Sequence, residues 1–432
     1  MIGFVGLSHL GIVSSVAAAS RGFDVLAYDH NEATVGTLRE GNLPFVEPGL
    51  RELLERNRER LRFTSRLDEI RQCALIFFSS DTPTNVDNES DLRHLNRSIE
   101  EAIPHVSEHC ILVILSQVSP GFTRGVRERL QSQQPDRKSK VYCQVETLVI
   151  GDAVRRATHP ERFIVGAADP CEGLGEVYRR FLESFPCPVL RMRYESAELT
   201  KIAINAFLVS SVSTTNMLAE LSAEIDADWT EVAPALRLDR RIGPYAYLSP
   251  GLGIAGGNLE RDLMAIRSMA RRNGTDARLV DQWIELSRYH CDWVIRTIHL
   301  NVLPERSNPV IAIWGLPYKP NTDSTRNSPT LALLSTLRGF EVKLYDPVAV
   351  LPPAYASMAT QCGSALETCD QADVLVIMTP WAEFGNADLK RVEEAMRGRI
   401  IIDPFGIFGG KNERGFGFSY FKLGAPPYPK SR

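Results

Sequence analysis

The 432-residue sequence lacks the features that define several protein classes. Lys and Arg number 49 against 53 Asp and Glu, so a net charge of −4 leaves no basic excess for nucleic-acid binding. Its eight cysteines form neither a Cys-x-x-Cys pair nor a Cys/His spacing typical of metal sites, which predicts reduced thiols and no metal. The 44% hydrophobic and 24% charged shares exclude collagen-like, disordered and disulfide-scaffold proteins.

Long apolar runs are also missing. The runs at 110–115 and 374–378 have the length of a strand, well below the 18 or more residues of a membrane helix. The sequence opens directly into an apolar strand and a glycine turn, which leaves no room for a secretory signal. We therefore expect a cytoplasmic protein with no membrane or nucleic-acid partner.

Short apolar runs alternate with helical patterns in the first and last parts of the chain, which is typical of parallel sheets covered by helices. The stretch 194–225 has no proline or glycine and predicts a helix of roughly 48 Å. A second helical block follows at 261–298. The sequence predicts an α/β fold of two doubly wound, Rossmann-like domains joined by a long central helix and a helical middle domain. The expected boundaries are 1–190, 191–300 and 301–432.

A Gly-x-Ser-x-x-Gly motif at 6–11 lies where a dinucleotide fingerprint belongs, between a strand and a helix predicted from Ile12. Ser8 replaces the middle glycine, so its Cβ should weaken or reshape cofactor binding unless its hydroxyl donates to a phosphate. Asp29 can accept both ribose hydroxyls, and no arginine follows it, which favours NAD over NADP. The alternative is an ordinary strand–helix turn in a nucleotide-free domain. The candidate cofactor residues here are Gly6, Ser8, His9, Leu10, Gly11 and Asp29.

Further motifs follow in a recognisable order. They lie at 41–50, 81–84, 116–121, 146–166, 201–205, 241–243, 251–262, 315–326, 328–329 and 379–381. Through them the sequence resembles the UDP-glucose/GDP-mannose dehydrogenase family over nearly its whole length. The resemblance implies NAD as cofactor, a nucleotide-sugar substrate held by the C-terminal domain, and a homodimer built on the central helix.

The resemblance also assigns roles to individual residues. The implied catalytic residues are Glu146, Lys201, Asn205, Asn258 and Asp262. Further cofactor contacts are implied for Thr82, Pro83, Gln117 and Arg326. Substrate contacts are implied for Lys201, Asn205, Arg241, Gly253, Gly257 and Lys319.

Several departures from the family pattern concern its second oxidation. Family enzymes trap the aldehyde on a cysteine and hydrolyse the resulting thioester, but Asn258 stands at or next to the cysteine position, and an amide is not a nucleophile at neutral pH. Arg261 replaces a lysine, and Gln117 replaces a threonine that helps hold the catalytic water. Val149 and Ile150 replace an arginine and a glutamate. The losses therefore concentrate on the nucleophile and on hydrolysis.

These departures predict a single two-electron alcohol oxidation. Three alternatives stay open at this point: a redox-neutral epimerase with bound NAD, a non-catalytic nucleotide-binding homologue, and residual acid formation with water replacing the thiol. Near the end, Asp403-Pro-Phe-Gly406 replaces the family's Asp-Gly-Arg-Asn. This exchange removes a charged group that we expect to face the family's second site.

Overall fold

The computed structural model describes residues 1–84, 90–135, 138–409 and 417–428. Contacts divide the chain into two compact units, Met1–Ile204 and Asn205–Arg432. The division into three domains at 190 and 300 stays a prediction.

The first unit is an eight-stranded sheet with helices packed on it, in the strand order β3-β2-β1-β4-β5-β6-β7-β8. Its strands are β1 (Ile2–Val5), β2 (Val25–Tyr28), β3 (Leu61–Thr64), β4 (Leu75–Phe78), β5 (Ile111–Ile114), β6 (Val141–Gln144), β7 (Phe163–Ala167) and β8 (Val189–Arg193). Its helices are α1 (His9–Ser20), α2 (Glu32–Arg39), α3 (Leu50–Arg56), α4 (Arg93–Ala102), α5 (Phe122–Gln133), α6 (Ala153–Thr158) and α7 (Glu176–Glu183).

Strands β1 to β6 are parallel to one another, whereas β7 runs antiparallel to β6 and β8 runs parallel to β7, so the last two strands are reversed. The expectation of a parallel sheet is therefore confirmed for β1 to β6 and was wrong for β7 and β8. The connection between β6 and β7 contains only the six-residue α6, which packs against α1. The connection therefore does not form an ordinary crossover between neighbouring parallel strands.

The central strands are buried on both faces, which explains their continuous apolar sequences. One face carries an aromatic cluster in which the rings of Phe4 and Phe77 stack at 4.9 Å and Phe181 lies 5.0 Å from Phe77. This packing fixes the carboxyl ends of β1 and β4, where the polar turns of the candidate site begin.

Helix α8 (Tyr194–Glu224) is 31 residues long and confirms the predicted central helix almost to its last residue. By length and composition it would suffice to cross a membrane, and it is the one such helix within the described residues. This is weak support for a membrane span, because core helices of soluble proteins pass the same test. The helix contains no long uninterrupted apolar run, because serine, threonine and asparagine lie between its apolar residues. For this reason it was not predicted as a candidate membrane span.

The second unit contains a helical part followed by a six-stranded parallel sheet in the order β11-β10-β9-β12-β13-β14. Its helices are α9 (Trp229–Leu238), α10 (Asn258–Asn273), α11 (Arg278–Cys291), α12 (Trp293–Asn301), α13 (Pro329–Thr336), α14 (Ala365–Thr368), α15 (Ala382–Gly385) and α16 (Leu389–Ala395). Its strands are β9 (Val310–Trp314), β10 (Glu341–Tyr345), β11 (Thr360–Gln361), β12 (Val374–Ile377), β13 (Ile400–Ile402) and β14 (Ser419–Phe421).

The sequence showed no clear period over 411–432, yet β14 lies there and pairs in parallel with β13. A three-residue strand is too short for alternation to reveal it. The two sheets share the order 3-2-1-4-5 at their cores, as expected for two doubly wound units.

Candidate active site

The predicted cofactor turn joins β1 to α1. Gly6 adopts a φ of +99°, and a Cβ on Gly11 would lie 1.9 Å from the carbonyl oxygen of Gly6. Neither position therefore accepts a side chain without rearrangement. Helix α1 begins at His9 and not at Ile12 as predicted, so its free N–H groups point into the turn itself. This cradle fits the pyrophosphate of a dinucleotide.

Ser8 is locked within this turn. Its Oγ donates to the carbonyl oxygen of Ser79 at 3.0 Å and accepts from the backbone N–H of Asp81 at 3.0 Å. The single hydroxyl proton is used inside the protein, so the expectation that it reaches a phosphate is not supported.

Asp29 follows β2 and faces the same turn. Its Oδ2 accepts from the backbone N–H of Leu7 at 2.8 Å, and its Oδ1 accepts from that of Asn31 at 2.9 Å. Oδ1 also lies 3.2 Å from Nδ1 of His30, whereas Oδ2 keeps a further lone pair for a ribose hydroxyl. A cavity beside Asp29 is also lined by His30 and His94, whose rings lie 5.3 Å apart. This arrangement suits the adenosine half of NAD.

Two predicted cofactor motifs meet after β4 and β5. The hydroxyl of the buried Thr82 donates to the carbonyl oxygen of Gln117 at 2.8 Å. Pro83 follows directly and accepts from the backbone N–H of Asp91 at 2.8 Å. The structure therefore brings Thr82 and Gln117 together, and their contacts with the cofactor stay predictions.

Lys201 on α8 forms an ion pair with Glu146, which follows β6. The Lys201 Nζ lies 3.4 Å from Glu146 Oε2, and the two side chains are only 16% and 15% exposed. The other carboxylate oxygen accepts from the backbone N–H of Leu148. A half-enclosed ammonium beside a carboxylate can stabilise an alkoxide or relay its proton.

Sequence reasoning missed Glu47, which lies in the loop before α3. Its carboxylate is buried and accepts from the backbone N–H groups of Gly151 and Ala153, both at 2.9 Å. It also lies 2.8 Å from Nε2 of His9. Glu47 belongs to the motif at 41–50, from which the sequence analysis assigned no role to this residue.

In the second unit, Asn205 and Asp262 form the predicted pair. Asn205 Nδ2 donates to Asp262 Oδ2 at 2.5 Å, and Arg261 Nε lies 3.4 Å from Asp262 Oδ1. All three residues are buried. Arg261, which stands where the family has a lysine, is thus a buried ion-pair partner of Asp262.

The glycine loop 251–257 leads into α10 and packs against α11 and against the motif at 315–326. A Cβ on Gly253 would lie 2.5 Å from the carbonyl oxygen of Ser287, and one on Gly257 would lie 2.8 Å from Nε of Arg326. Gly257 caps α10, and the exposed Asn258 is its first residue. Asn258 therefore occupies a helix N-terminus, the position that lowers the pKa of a thiol where one is present. The role of Arg326 toward the cofactor stays a prediction.

Other predicted residues lie apart from these pairs. Arg241 is 90% exposed and its guanidinium bonds to Asp239 at 2.7 Å. Lys319 Nζ lies 5.6 Å from the ring centre of Tyr318. Their substrate contacts stay predictions.

Asp403 has a structural role. It is fully buried and accepts from the phenol of Tyr420 at 2.6 Å and from three backbone N–H groups of the following turn. Burial raises the pKa of its carboxyl, and these bonds lower it in part. That a charge is lost from a second site at 404–406 stays a prediction.

The turn after β9, in the C-terminal sheet, has the same geometry as the cofactor turn after β1. The two turns differ in the hydrogen bonds of their aspartates. Gly315 adopts a φ of +105°, and Leu316 donates its N–H to Asp346 Oδ2 at 2.9 Å, as Leu7 does to Asp29. Here, however, Trp381 Nε1 and two following backbone N–H groups also donate to Asp346. Four donors saturate this carboxylate. It therefore offers no ribose site of the kind that Asp29 offers.

Comparison with known proteins accounts for this arrangement. The NAD-binding domain of the UDP-glucose/GDP-mannose dehydrogenase family matches residues 1–182, its central domain residues 195–288 and its UDP-binding domain residues 312–410. A UDP-glucose 6-dehydrogenase of Bacillus subtilis is 29% identical, with 98% of this chain and 93% of that protein covered. One from Pseudomonas aeruginosa is also 29% identical, with 98% and 97% covered.

A solved UDP-glucose dehydrogenase structure from Pyrobaculum islandicum superposes with a TM-score of 0.86 at 26% identity, covering 98% of this chain and 97% of that one. The chain belongs to the UDP-glucose/GDP-mannose dehydrogenase family, and NAD is its cofactor.

Proposed function

We propose that this family member oxidises an alcohol of a nucleotide-linked sugar, of the UDP-sugar kind, once and by two electrons, without the thioester-forming second step. The proposal rests on one observation, the contrast between two polar pairs that are present and a nucleophile that is missing. The Lys201–Glu146 and Asn205–Asp262 pairs are present, whereas an amide, Asn258, begins α10 at or next to the position that the resemblance assigns to the family's nucleophile.

In the proposed reaction Glu146 takes the hydroxyl proton, and the Lys201 ammonium stabilises the alkoxide as it forms. NAD supplies the acceptor for the hydride that leaves the same carbon. The turn at Gly6–Gly11 and the carboxylate of Asp29 hold the cofactor. Asn205 and Asp262 belong to the same chemistry through the family resemblance.

The reaction stops at the carbonyl stage because Asn258 cannot form a covalent adduct with it. The changes at Gln117, Val149 and Ile150 remove further groups that serve hydrolysis in the family. Any acid product must then arise from hydrated aldehyde, with water in place of the thiol.

A panel of nucleotide sugars tests this proposal when NADH yield and product identity are scored in one experiment. We expect one NADH per carbonyl product. Two NADH per uronic acid at an ordinary family rate would overturn the proposal. An isomerised product without net NADH would instead establish the epimerase alternative, in which the hydride returns to the carbonyl.

The non-catalytic alternative draws its support from the closed turn at Ser8. Native mass spectrometry of the purified protein separates it from the enzyme. Co-purified NAD(H) together with turnover favours catalysis, whereas tight nucleotide binding without turnover across the panel favours a binding protein.

We also propose a cytoplasmic homodimer built on α8, without membrane or nucleic-acid partners. Support comes from apolar side chains that α8 exposes, namely Leu199, Phe207, Met217 and Leu221, of which Phe207 is 78% exposed. Light scattering should give twice the monomer mass, and Phe207→Glu should lower it. Association only with lipid vesicles would contradict the proposal.

A further inference from the structure

Glu47 connects two parts of the first unit that are far apart in sequence. One carboxylate oxygen accepts from Ala153 N–H at 2.9 Å, and the other accepts from Gly151 N–H at 2.9 Å and lies 2.8 Å from His9 Nε2. The side chain is completely buried. A single buried carboxylate therefore contacts all three partners, His9, Gly151 and Ala153.

The chemistry of these contacts fixes their direction. Because both oxygens accept from backbone N–H groups, the ionised carboxylate fits the site better than the protonated acid. The imidazole of His9 then donates from Nε2. Its ring is also packed against Phe45, with centroids 4.6 Å apart, so the side chain has few alternative positions.

The partners of Glu47 belong to two different segments of the candidate site. His9 is the first residue of α1, at the helix N-terminus that receives the cofactor pyrophosphate. Gly151 and Ala153 close the loop that begins at Glu146, whose carboxylate bonds to the loop backbone at Leu148. A shift of either segment must be accommodated at the other, because a well-packed interior transmits displacement.

We propose that Glu47 is a positioning residue that couples the cofactor turn to the loop bearing Glu146, with His9 as its contact on the cofactor side. Binding of NAD at the turn then holds His9, and Glu47 passes that constraint to Gly151 and Ala153. The catalytic half of this inference rests on the proposed function, whereas the cofactor-binding half does not.

The test combines His9→Leu, His9→Gln, Glu47→Gln and the double variant His9→Leu/Glu47→Gln. Glutamine at position 9 can still donate to the carboxylate, whereas leucine cannot. We expect His9→Leu and Glu47→Gln to weaken NAD binding by about 10- to 100-fold, the range for a lost hydrogen bond to a buried charge. We expect His9→Gln to restore most of it. The double variant should be no weaker than the poorer single variant, because both remove one link.

Glu198→Gln is the matched control. Glu198 is a buried carboxylate of the same unit that accepts from two backbone N–H groups, those of Gly121 and Thr123, without a histidine partner. It should lower the melting temperature and leave NAD affinity unchanged. Equal NAD losses in Glu47→Gln and Glu198→Gln would reduce Glu47 to a structural role and overturn the proposal, as would additive losses in the double variant.

NAD affinity is measured by calorimetry without sugar nucleotide, so this arm stays valid even if no substrate is turned over. If turnover exists, the catalytic arm expects kcat to fall in His9→Leu at saturating NAD and to recover in His9→Gln. An unchanged kcat at saturation would overturn the coupling while leaving the proposed oxidation intact.

Discussion

Restoring a thiol at position 258 is the sharpest perturbation of the proposed chemistry. Asn258 is exposed and is the first residue of the 16-residue helix α10, so a cysteine there lies in the positive field of a helix N-terminus. Asn258→Cys therefore introduces an accessible thiol with a lowered pKa. Its matched controls are Asn258→Ser, which places an unactivated hydroxyl there, and Asn258→Ala.

The expected reactivity of the introduced thiol follows from the fraction of it that is ionised to thiolate. An ordinary thiol with a pKa of about 8.5 is roughly one-tenth ionised at pH 7.5, and a lowering by about one unit raises this to roughly one-half. That fraction suffices to trap the carbonyl as a thiohemiacetal, whose second hydride passes to another NAD and leaves a thioester. Because Gln117 replaces the family threonine that helps hold water, we expect the thioester to be hydrolysed slowly.

The expected result is a burst of one additional NADH per active site, accompanied by an acyl adduct on the introduced thiol in intact-protein mass spectrometry. Adding Gln117→Thr should convert the burst into continuous acid formation. The pKa is read from the pH dependence of iodoacetamide labelling, with the native cysteines mapped by peptide mass. A readily alkylated thiol with a lowered pKa but neither burst nor adduct would refute the reasoning.

Three smaller changes probe the surrounding structure. Ser8→Gly should lower the melting temperature, since two hydrogen bonds of about 1 kcal/mol each are lost. It should also tighten NAD binding, because a glycine at this position lets the backbone approach the pyrophosphate; weaker binding in calorimetry would show that the hydroxyl serves the cofactor. Asn205→Ala should lower the unfolding free energy in urea by about 1.5–3 kcal/mol, because the buried Asp262 loses its 2.5 Å partner; a change below about 0.5 kcal/mol would contradict this. Burial raises the pKa of Asp373, but the bond from Arg397 and other cationic and backbone partners hold it below its ordinary value. The stability that Asp373 contributes is therefore present above the pKa of the unfolded chain and is lost as pH falls through the folded pKa, so Arg397→Gln should move the acid-unfolding midpoint in circular dichroism to higher pH.

The alternation of apolar runs and helical patterns predicted both doubly wound sheets, because strands buried on two faces leave continuous apolar segments. It also predicted α8 nearly to the residue. The reversed direction of β7 and β8 could not be predicted, since it depends on where α6 packs rather than on the sequences of these strands. The three-residue β14 carries no readable period.

Some residues of the candidate site could be predicted from the sequence and others could not, for a similar reason. Motifs located Glu146, Lys201 and Asn205, because their residue types and spacing carry the family resemblance. The motif at 41–50 contains Glu47 but could not reveal its contacts, because two of its partners are backbone N–H groups more than 100 residues away along the chain. Nor could a motif show that Asp29 keeps acceptor capacity while its C-terminal counterpart Asp346 is saturated.

The glycines of the loop before α10 do not by themselves distinguish an altered enzyme from a relic. A Cβ on Gly253 would lie 2.5 Å from the Ser287 carbonyl oxygen and one on Gly256 would lie 2.9 Å from the Tyr318 ring, and both residues have positive φ, so local structure alone requires these two glycines. The argument for retained chemistry rests instead on the Lys201–Glu146 pair. A pair of largely buried charges contributes little net stability, and apolar side chains would serve folding equally well. Its presence beside a cofactor turn that folding alone would not require is better explained by hydride transfer than by structure.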